Sequence, residues 1–358
     1  MHTFIYTTAI VRKLFGLLLI VVLAVGGWLA WVALIPVEPA PQTFVMLRPG
    51  FSTRHIAAAL KSSGVIRSEQ AFILWHYLYQ RRSLKAGEYL FEKAANLIDI
   101  EKRLQRGDVY HRTVVVPEGF TMFDIARAIE AAGLGSAEDF LKVAQSDTAL
   151  VADIAPGAPS LEGYLFPETY EFSRMMTMHE MAAAMVRQFR DVAFNIGLIQ
   201  TSGTGVEASS VPSDAHQMML NIGTQRTVIM ASIIEKETSV AEERPLVASV
   251  YYNRLQKNIA LDADPSIIYA ELLTGAYQGA LHHADMQFPS RYNTYKHAGL
   301  PPGPIANPGK SSLEAAMHPA QTDYYYFVAD AQGHHRFAHT IEEHNKNVAA
   351  YRRAMQGH

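Results

Sequence analysis

An uncharged apolar segment near the N-terminus places the strongest limit on what this chain can fold into. Residues Leu14–Ile35 read LFGLLLIVVLAVGGWLAWVALI and contain no charged side chain. As a helix, these 22 residues extend about 33 Å at ~1.5 Å per residue, enough to cross the hydrocarbon core of a bilayer. Trp28 and Trp31 lie toward one end, as aromatic residues do at a membrane interface. The segment predicts a single transmembrane helix.

The residues that flank this segment predict its orientation. Arg12 and Lys13 precede it, and Glu38 follows it. By the positive-inside rule, residues 1–13 form a cytoplasmic tail, and the chain beyond a helix in the cytoplasmic (inner) membrane lies outside the cytoplasm, in a periplasmic or other extracytoplasmic space. A cleaved signal peptide is the alternative, but its apolar core is usually only about 7–15 residues long and ends in a small-residue cleavage site. We therefore expect an uncleaved anchor.

Composition limits the function of the remaining chain. It has 358 residues, of which 49% are hydrophobic and 18% charged, and this balance favours folded domains over disorder. A net charge of −3 argues against nucleic acid as a partner. Cysteine is absent, which excludes disulfides, thiolate metal sites and cysteine nucleophiles.

Two segments of the chain share one pattern at an offset of 69 residues. One opens with Gly50-Phe51-Ser52 and the other with Gly119-Phe120-Thr121. Each follows a strand-like run, at Thr43–Leu47 or Thr113–Val116, and continues with apolar residues at helical spacing. Both copies therefore predict strand–helix–helix. The expected N-caps are Ser52, Ser68, Thr121 and Ser136, and the expected helix-ending glycines are Gly64 and Gly133.

The repeat also predicts how the domains are organised. In the first copy, Gly87-Glu88-Tyr89 leads into a second strand, and the resulting order resembles a LysM-type glycan-binding module; a purely structural spacer is the alternative. Helices and short strands alternate irregularly, which predicts an α+β fold rather than a parallel α/β sheet. The expected parts are a proline-rich spacer at 36–42, a LysM-like module at 43–111, and a larger domain at 112–358 with a flexible Ser/Gly-rich insert at 200–215.

The segment Thr227–Thr238, TVIMASIIEKET, is a candidate for chemistry. Its apolar run leads directly into Glu235 and Glu237. A carboxyl group at the lip of an apolar pocket has a raised pKa, which a general acid needs near neutral pH. Alternatively, the Glu-Lys-Glu triplet ends a buried helix and reaches water. Periodicity does not choose between the two glutamates.

Aromatic residues alternate with Asn, Asp and Glu in several turn-rich stretches, including Ser160–Tyr170, Val250–Leu255 and Tyr292–Tyr295. A sugar cleft needs this combination, because rings stack on pyranose faces while amides and carboxylates bind hydroxyl and N-acetyl groups. Proline and glycine fix the shape of such loops and lower the entropy cost of binding. The alternative is that these residues only form the walls of the domain.

Four histidines cluster near the C-terminus, but their spacing and neighbours do not favour a metal site. His335 and His339 have the i, i+4 spacing of metal ligands on a helix, but the residues around them favour strand and turn. We therefore expect no metal there. The cluster consists of His334, His335, His339 and His344.

Taken together, the motifs from Val114 to Tyr351, about two thirds of the chain, resemble the YceG-like family. Two features depart from its pattern: the insert at 200–215, and Ser266 where the family usually has Thr. The motifs are VPEG at Val116–Gly119, LEGYLFPETY at Leu161–Tyr170, ASIIEKET at Ala231–Thr238, VYYNRL at Val250–Leu255, DPSIIY at Asp264–Tyr269, YNTY and GLPPGPI at Tyr292–Ile305, and EHN at Glu343–Asn345.

This resemblance implies a lytic transglycosylase that acts on peptidoglycan glycan strands without a metal or other cofactor. Glu235 is then the catalytic residue and Glu237 the second choice. One glutamate serves first as acid and then as base, because the C6 hydroxyl of N-acetylmuramic acid attacks its own C1. A membrane anchor implies that nascent strands are cut internally, with cell-wall synthases as partners. The expected cleft residues are Glu162, Tyr164, Glu168, Asn253, Tyr292, Asn293, Tyr295 and Asn307.

Two other functions stay open. A non-catalytic glycan-binding scaffold of the cell-wall synthesis machinery would keep the aromatic loops and tolerate the loss of Glu235. A hydrolase that uses water would need a second carboxylate within about 5–10 Å of the first. Asp262, Asp264 and Glu168 are the candidates for that second group.

Overall fold

The computed structural model of this chain describes residues 2–80, 82–199 and 214–356. Most of the expected insert at 200–215 lies outside the described residues, and its last two positions already belong to a helix that begins at Asp214. Helices and short two-stranded sheets make up the described chain, so the predicted mixed α+β class is confirmed.

The chain divides into two compact units. The N-terminal unit comprises Met1–Arg112 with Ser173–Met175, and the C-terminal unit comprises Thr113–Phe172 with Met176–His358. The short return segment belongs to the first unit because Arg174 Nη1 lies 3.2 Å from the buried carboxylate of Glu88.

The N-terminal unit begins with helix α1, His2–Leu34. Within the described ranges, its stretch Lys13–Leu34 is the one helix long and apolar enough to span a membrane, judged by length and composition. A signal sequence near an N-terminus would meet the same criteria. The structure therefore confirms the apolar helix, whereas its membrane insertion and orientation stay predictions.

A strand–helix–helix–strand arrangement follows α1, as the repeat predicts. Strand β1, Thr43–Leu47, pairs antiparallel with β2, Gly87–Phe91, so that Val45 lies opposite Tyr89. Between them lie helices α2, Thr53–Ser62, and α3, Glu69–Trp75, and then a π-helical turn at His76–Gln80. Helix α4, Leu97–Arg106, completes the unit. Its resemblance to a glycan-binding LysM-type module stays a prediction.

The expected helix caps of both repeats are confirmed. Each capping side chain accepts a hydrogen bond from the backbone N–H three residues later, which satisfies one of the unpaired donors of the first helical turn. Gly64 and Gly133 have φ values of +71° and +69°, the left-handed conformation that glycine adopts most easily where a helix ends. The confirmed caps are Ser52, Ser68, Thr121 and Ser136.

The end of α1 is attached to the N-terminal unit. Val32 is buried in its hydrophobic core. The Arg67 guanidinium donates to the carbonyl oxygens of Ile35 and Pro36, in the latter case over 2.8 Å. Val37 forms an isolated antiparallel bridge with Ala95. The first residues of the expected proline-rich spacer, Pro36 and Val37, are therefore in direct contact with the N-terminal unit.

The C-terminal unit combines two small sheets with a larger set of helices. Strand β3, Arg112–Val115, pairs with β4, Thr169–Phe172, and β5, Tyr326–Ala329, pairs antiparallel with β6, His335–Ala338. The helices are α5 Met122–Ala131, α6 Ala137–Ser146, α7 Met178–Asn195, α8 Asp214–Glu237, α9 Arg244–Gln256, α10 Asp264–Thr274, α11 Lys310–Met317 and α12 Ile341–Gln356.

Helix α8 lies at the centre of this core. Its segment Val228–Ile234 is buried along its whole length, because apolar or small residues occupy every face. The Ser232 hydroxyl bonds the Ile229 carbonyl and accepts the N–H of Ile305, which fixes a neighbouring loop to the helix. The helix ends at Glu237, so Glu235 and Glu237 lie where the buried segment reaches the surface.

Three of the C-terminal histidines, His334, His335 and His339, lie in or beside strand and turn, as predicted, whereas His344 lies in α12. His335 is the first residue of β6. The Nδ1 atoms of His335 and His334 lie 2.6 Å and 3.1 Å from the carboxylate of Glu243. These contacts hold β6 to the short 3₁₀ turn at Ala241–Glu243.

Candidate active site

Glu235 occupies a fixed and shielded position at the end of α8. Its side chain is only 5% exposed. Arg244 Nη2, at the start of α9, lies 3.4 Å from Glu235 Oε1, and the backbone N–H of Gly309 donates to Oε2 over 3.0 Å. Because each carboxylate oxygen has its own donor, the group is held in one orientation.

The second donor comes from a helix terminus. Gly309 is the N-cap of α11, so the Glu235 carboxylate lies at the N-terminal end of that helix. Unpaired N–H groups and the helix dipole stabilise negative charge at such a position. Arg244 and the N-terminal end of α11 therefore both face the Glu235 carboxyl group.

Glu118 brings a second carboxylate to the same place. Its Oε2 lies 3.8 Å from Arg244 Nη2, so one guanidinium serves both glutamates. Burial and the nearby charge of Glu235 raise the pKa of Glu118, whereas Arg244 lowers it, and the net shift is upward. The Glu118 side chain is 49% exposed. The site thus pairs a shielded carboxylate with an accessible one.

Two glycines let the backbone approach these carboxylates. A Cβ atom on Gly309 would lie 1.9 Å from Glu118 Oε1, so any side chain there would displace Glu118. Gly119 has a φ of +76°, and a Cβ on it would lie 3.5 Å from Cγ of Glu235. Lys236 Nζ donates to the Gly119 carbonyl over 3.2 Å. The turn that carries Glu118 is therefore packed on the end of α8.

Asn307 joins the loops around the site. It is fully buried, and its Oδ1 accepts the N–H groups of Gly163 and Leu165 over 2.8 Å and 3.0 Å. Its Nδ2 donates to the Phe120 carbonyl over 2.9 Å and to Glu162 over 2.7 Å. One side chain thus links three segments that are far apart in sequence.

Glu162 is a buried member of the same network. Its Oε2 accepts the N–H of Met122 over 2.9 Å, at the start of α5. Burial raises the pKa of Glu162 to about 8, even though Met122 and Asn307 donate hydrogen bonds that lower it. With no exposed surface, Glu162 positions the loops rather than contacting a ligand.

Glu237, our second choice, has a different set of partners from Glu235. The Tyr251 hydroxyl hydrogen-bonds its carboxyl group. Burial, reinforced by the charge of Asp264, raises the pKa of Glu237 to about 7. The Tyr295 hydroxyl donates to Asp264 over 2.6 Å.

Several expected cleft residues prove to be buried. Tyr164 packs edge-on against Phe189, and Asn293 Nδ2 holds the carbonyls of Met286 and Phe288. Like Glu162 and Asn307, these side chains are fully buried and hydrogen-bond or pack within the loops, so their expected role in a sugar cleft stays a prediction. The four are Glu162, Tyr164, Asn293 and Asn307.

The other expected cleft residues are more accessible. Tyr292 is partly buried against Tyr269, and Tyr295 and Glu168 are exposed. Asn253 is partly buried, and its Nδ2 holds the carbonyls of Thr322 and Tyr324. Tyr292, Tyr295 and Glu168 therefore keep the surface that a ligand would need.

Sequence reasoning missed Glu118, Arg244 and Gly309 as site residues. Among the carboxylates proposed to accompany Glu235, Asp262 instead lies 2.9 Å from Arg254 Nη1, and Asp264 accepts the Tyr295 hydroxyl. Glu118 belongs to the VPEG motif, which was a signal that could have identified it. Arg244 and Gly309 carry no comparable local signal.

A mixed α+β unit thus brings together a shielded glutamate, an accessible second carboxylate and a shared cation, and a pair of carboxyl groups is what acid–base cleavage of a glycosidic bond uses. The sequence model of the YceG-like family matches residues 45–350. The chain therefore belongs to the YceG-like family, which confirms the resemblance of its motifs.

Relatives of known name support this assignment. An endolytic murein transglycosylase of Bacillus subtilis is 33% identical over 335 residues, which cover 88% of this chain and 87% of that protein. One of Streptococcus pneumoniae strain R6 is 28% identical over 373 residues, which cover 94% of this chain but 64% of that protein. A crystal structure of a YceG-like protein from Listeria monocytogenes is 32% identical, with a TM-score of 0.55 over 85% of this chain and 97% of that one.

Proposed function

We propose that this chain is a peptidoglycan lytic transglycosylase that cleaves the β-1,4 bond between N-acetylmuramic acid and N-acetylglucosamine. The observation that carries the proposal is the setting of Glu235, which is 5% exposed and held between Arg244 and the N-terminus of α11. Relatives named endolytic murein transglycosylases support the same reaction.

The reaction needs one group that gives a proton and then takes one. Protonated Glu235 donates to the glycosidic oxygen as the bond from that oxygen to C1 breaks. The C6 oxygen of the same muramic acid then bonds to C1, and ionised Glu235 takes the C6 hydroxyl proton, which restores the acid. Between these steps Arg244 and the Gly309 N–H stabilise the carboxylate. The product carries a 1,6-anhydro end, and attack within one sugar profits from a high effective concentration.

A hydrolase is the second candidate function, and Glu118 is the observation that favours it. An accessible carboxyl group beside the acid is what a water-activating base requires. Both functions use Glu235 as the acid, so they differ in the product rather than in the need for that residue.

The mass of the product distinguishes these functions. Full-length protein in detergent is incubated with intact peptidoglycan, and the products are identified by mass spectrometry. We expect anhydro-muropeptides from the wild type and a rate lower by about 10²–10⁴-fold for Glu235→Gln. Glu237→Gln is the matched control, two residues away on the same helix, and should stay active.

Two other results would support the alternative functions. Products that carry an added water, lost in Glu118→Gln, would establish the hydrolase. No product from any variant, with glycan binding retained, would favour a non-catalytic scaffold.

We also propose that α1 anchors the protein in the cytoplasmic membrane, with residues 1–13 in the cytoplasm and the remaining chain in the periplasm. Cleavage would then take place inside nascent strands close to the membrane, near cell-wall synthases, and would set strand length. Incubation with long uncrosslinked strands tests the internal cleavage. We expect intermediate lengths to appear early, whereas release of terminal disaccharides alone would contradict it.

A further inference from the structure

A second apolar surface lies beside α1 in the N-terminal unit. Leu74 on α3, and Tyr77 and Leu78 in the π-helical turn, are 40%, 54% and 63% exposed. We call these three residues the apolar patch. Large apolar side chains that cluster on an exposed surface usually mark a site of interaction with a protein or a membrane.

A groove of about 290 Å³ separates the patch from α1. Gly26, Leu29 and Ala30 form its α1 side, and Ala71, Leu74 and Leu78 form the other. None of the described residues that line it is charged. Its dimensions and its uncharged, mainly apolar walls suit a hydrocarbon chain rather than a polar ligand.

The position of the groove along α1 determines how deep it would lie in a bilayer that α1 spans. Gly26 lies eight residues before Leu34, or about 12 Å from the end of the helix at ~1.5 Å per residue. This part of α1 belongs to its membrane-spanning candidate, Lys13–Leu34. If α1 crosses the bilayer, its groove-lining residues lie within the outer leaflet, and so do the residues of α3 that face them.

Basic side chains lie on the element that meets the π-helical turn of the patch, since His76 Nδ1 in that turn lies 2.7 Å from Glu101 Oε1 on α4. Arg82 follows the patch by four residues and is exposed, as are Lys102 and Arg106 on α4. These three, which we call the basic rim, are the charged residues among the described lining of a neighbouring cavity of about 360 Å³. Arg106 also pairs with the exposed Asp108. Apolar residues flanked by Lys and Arg are typical of surfaces that insert into the interface of an anionic membrane.

We propose that the apolar patch dips into the outer leaflet beside α1, where the groove holds an acyl chain and the basic rim binds the headgroup of an anionic phospholipid. The proposal rests on the membrane anchoring proposed above and is independent of the chemistry at Glu235. The N-terminal unit then contacts the bilayer through two elements, one that spans it and one that lies in its surface.

The absence of cysteine makes this proposal directly testable. A single Leu78→Cys substitution in the full-length chain carries an environment-sensitive fluorophore, and the protein is reconstituted into phosphatidylglycerol–phosphatidylethanolamine vesicles. Leu19→Cys on α1 is the reference for the bilayer interior, and Lys61→Cys on the exposed side of α2 is the control for water. Acyl-chain spin labels and aqueous iodide are the two quenchers.

We expect the label at Leu78 to be quenched by the lipid spin labels and shielded from iodide, as at Leu19, with the reverse at Lys61. A label at Leu78 that behaves like Lys61, while Leu19 is quenched by lipid, would overturn the proposal and leave the anchor intact. Loss of lipid quenching at both Leu19 and Leu78 would overturn the anchor as well. Neither result bears on the cleavage assay.

The basic rim has its own test. Replacing phosphatidylglycerol with phosphatidylcholine should reduce lipid quenching at Leu78 at least twofold in the wild-type background. The triple variant Arg82→Gln, Lys102→Gln, Arg106→Gln should already show the reduced value in phosphatidylglycerol. All three side chains are exposed, so an unchanged melting temperature is expected. Equal quenching in both lipids would overturn the headgroup contact.

Discussion

At the scale of single residues, the site depends on one guanidinium shared between two carboxylates. Arg244 is largely buried, and its Nη2 faces both Glu235 and Glu118. Taking a charge out of water is unfavourable unless it is paired, so each member of this group depends on the others. Removal of the cation would leave the shielded carboxylate of Glu235 beside that of Glu118 without the guanidinium that faces both.

Replacement of Arg244 tests that dependence. We expect Arg244→Gln to lower the rate about 10²-fold, because the ionised form of Glu235 loses its charged partner. Since Arg244 lowers the pKa of Glu118, its loss should raise that pKa further, which NMR of labelled glutamate can follow. Arg190→Gln, which removes the cation of an exposed pair with Asp153, is the control and should keep the wild-type rate. An active Arg244→Gln enzyme would contradict this role.

Glu162 predicts a dependence of stability on pH. Burial raises its folded-state pKa from 4.5 to about 8, so between these values the folded protein holds a proton that the unfolded chain releases. The free energy of unfolding therefore falls as pH rises through this window. Glu162→Gln does not titrate, and its unfolding free energy should fall less between pH 5 and pH 8.

Urea unfolding at both pH values measures this difference. Glu168→Gln, which replaces an exposed carboxyl in the same motif, should keep the wild-type slope. An equal slope for Glu162→Gln and wild type would show that Glu162 does not carry the effect.

At the scale of elements, the site forms where the ends of α8 and α11 meet the turn before α5. Gly309 permits this contact because it has no side chain. Its N–H reaches Glu235, and Glu118 occupies the space where a Cβ atom of residue 309 would lie. Gly163 has a comparable role, since its φ is +87° and a Cβ would lie 2.5 Å from Pro304. Backbone approach at these two glycines thus determines how closely the loops pack.

A pair of glycine substitutions tests this geometry. Gly309→Ala places a methyl group 1.9 Å from the present position of Glu118 Oε1, so we expect the carboxylate to move and activity to fall at least tenfold. Gly223→Ala is the control, because its methyl group on α8 meets no atom within 4 Å, and it should stabilise the protein by up to about 1 kcal/mol. Activity and melting temperature are measured for both. Full activity in Gly309→Ala would contradict the packing argument.

Local elements could be predicted from the sequence more completely than the site. Caps such as Ser52 and Thr121 bond backbone groups three residues away, so short-range chemistry identifies them. Glu118, Glu235 and Gly309 meet only in three dimensions, and no spacing rule joins them. The burial of Asn307 was also not predictable, because an Asn in a loop suits a cleft as well as a buried network.

At the scale of the whole molecule, the N-terminal unit is continuous with α1. Val32 belongs to its core, Arg67 holds the carbonyls of Ile35 and Pro36, and Val37 pairs with Ala95. The last turn of the apolar helix is therefore part of the folded unit and not only a linker to it.

Truncation tests this continuity. A chain that begins at Thr43 loses Val32 and the acceptors of Arg67, whereas one that begins at Gly27 keeps both. We expect the shorter chain to unfold at a lower temperature, because a core residue and several hydrogen bonds are missing. Thermal unfolding of both chains in the same detergent measures the difference. Equal melting temperatures would show that α1 adds nothing to the stability of the unit.

The Arg67 clamp has a consequence for how an anchored molecule of this kind moves. A domain joined to its anchor by a flexible linker rotates freely and samples every orientation above the membrane. Here the Arg67 guanidinium donates hydrogen bonds to the carbonyls of Ile35 and Pro36, directly after the helix. Rotation of the helix about its own axis therefore rotates the N-terminal unit through the same angle. If α1 spans a bilayer as proposed, the N-terminal unit then moves with it, by lateral diffusion and by rotation about the helix axis, at rates set by the viscosity of the lipid.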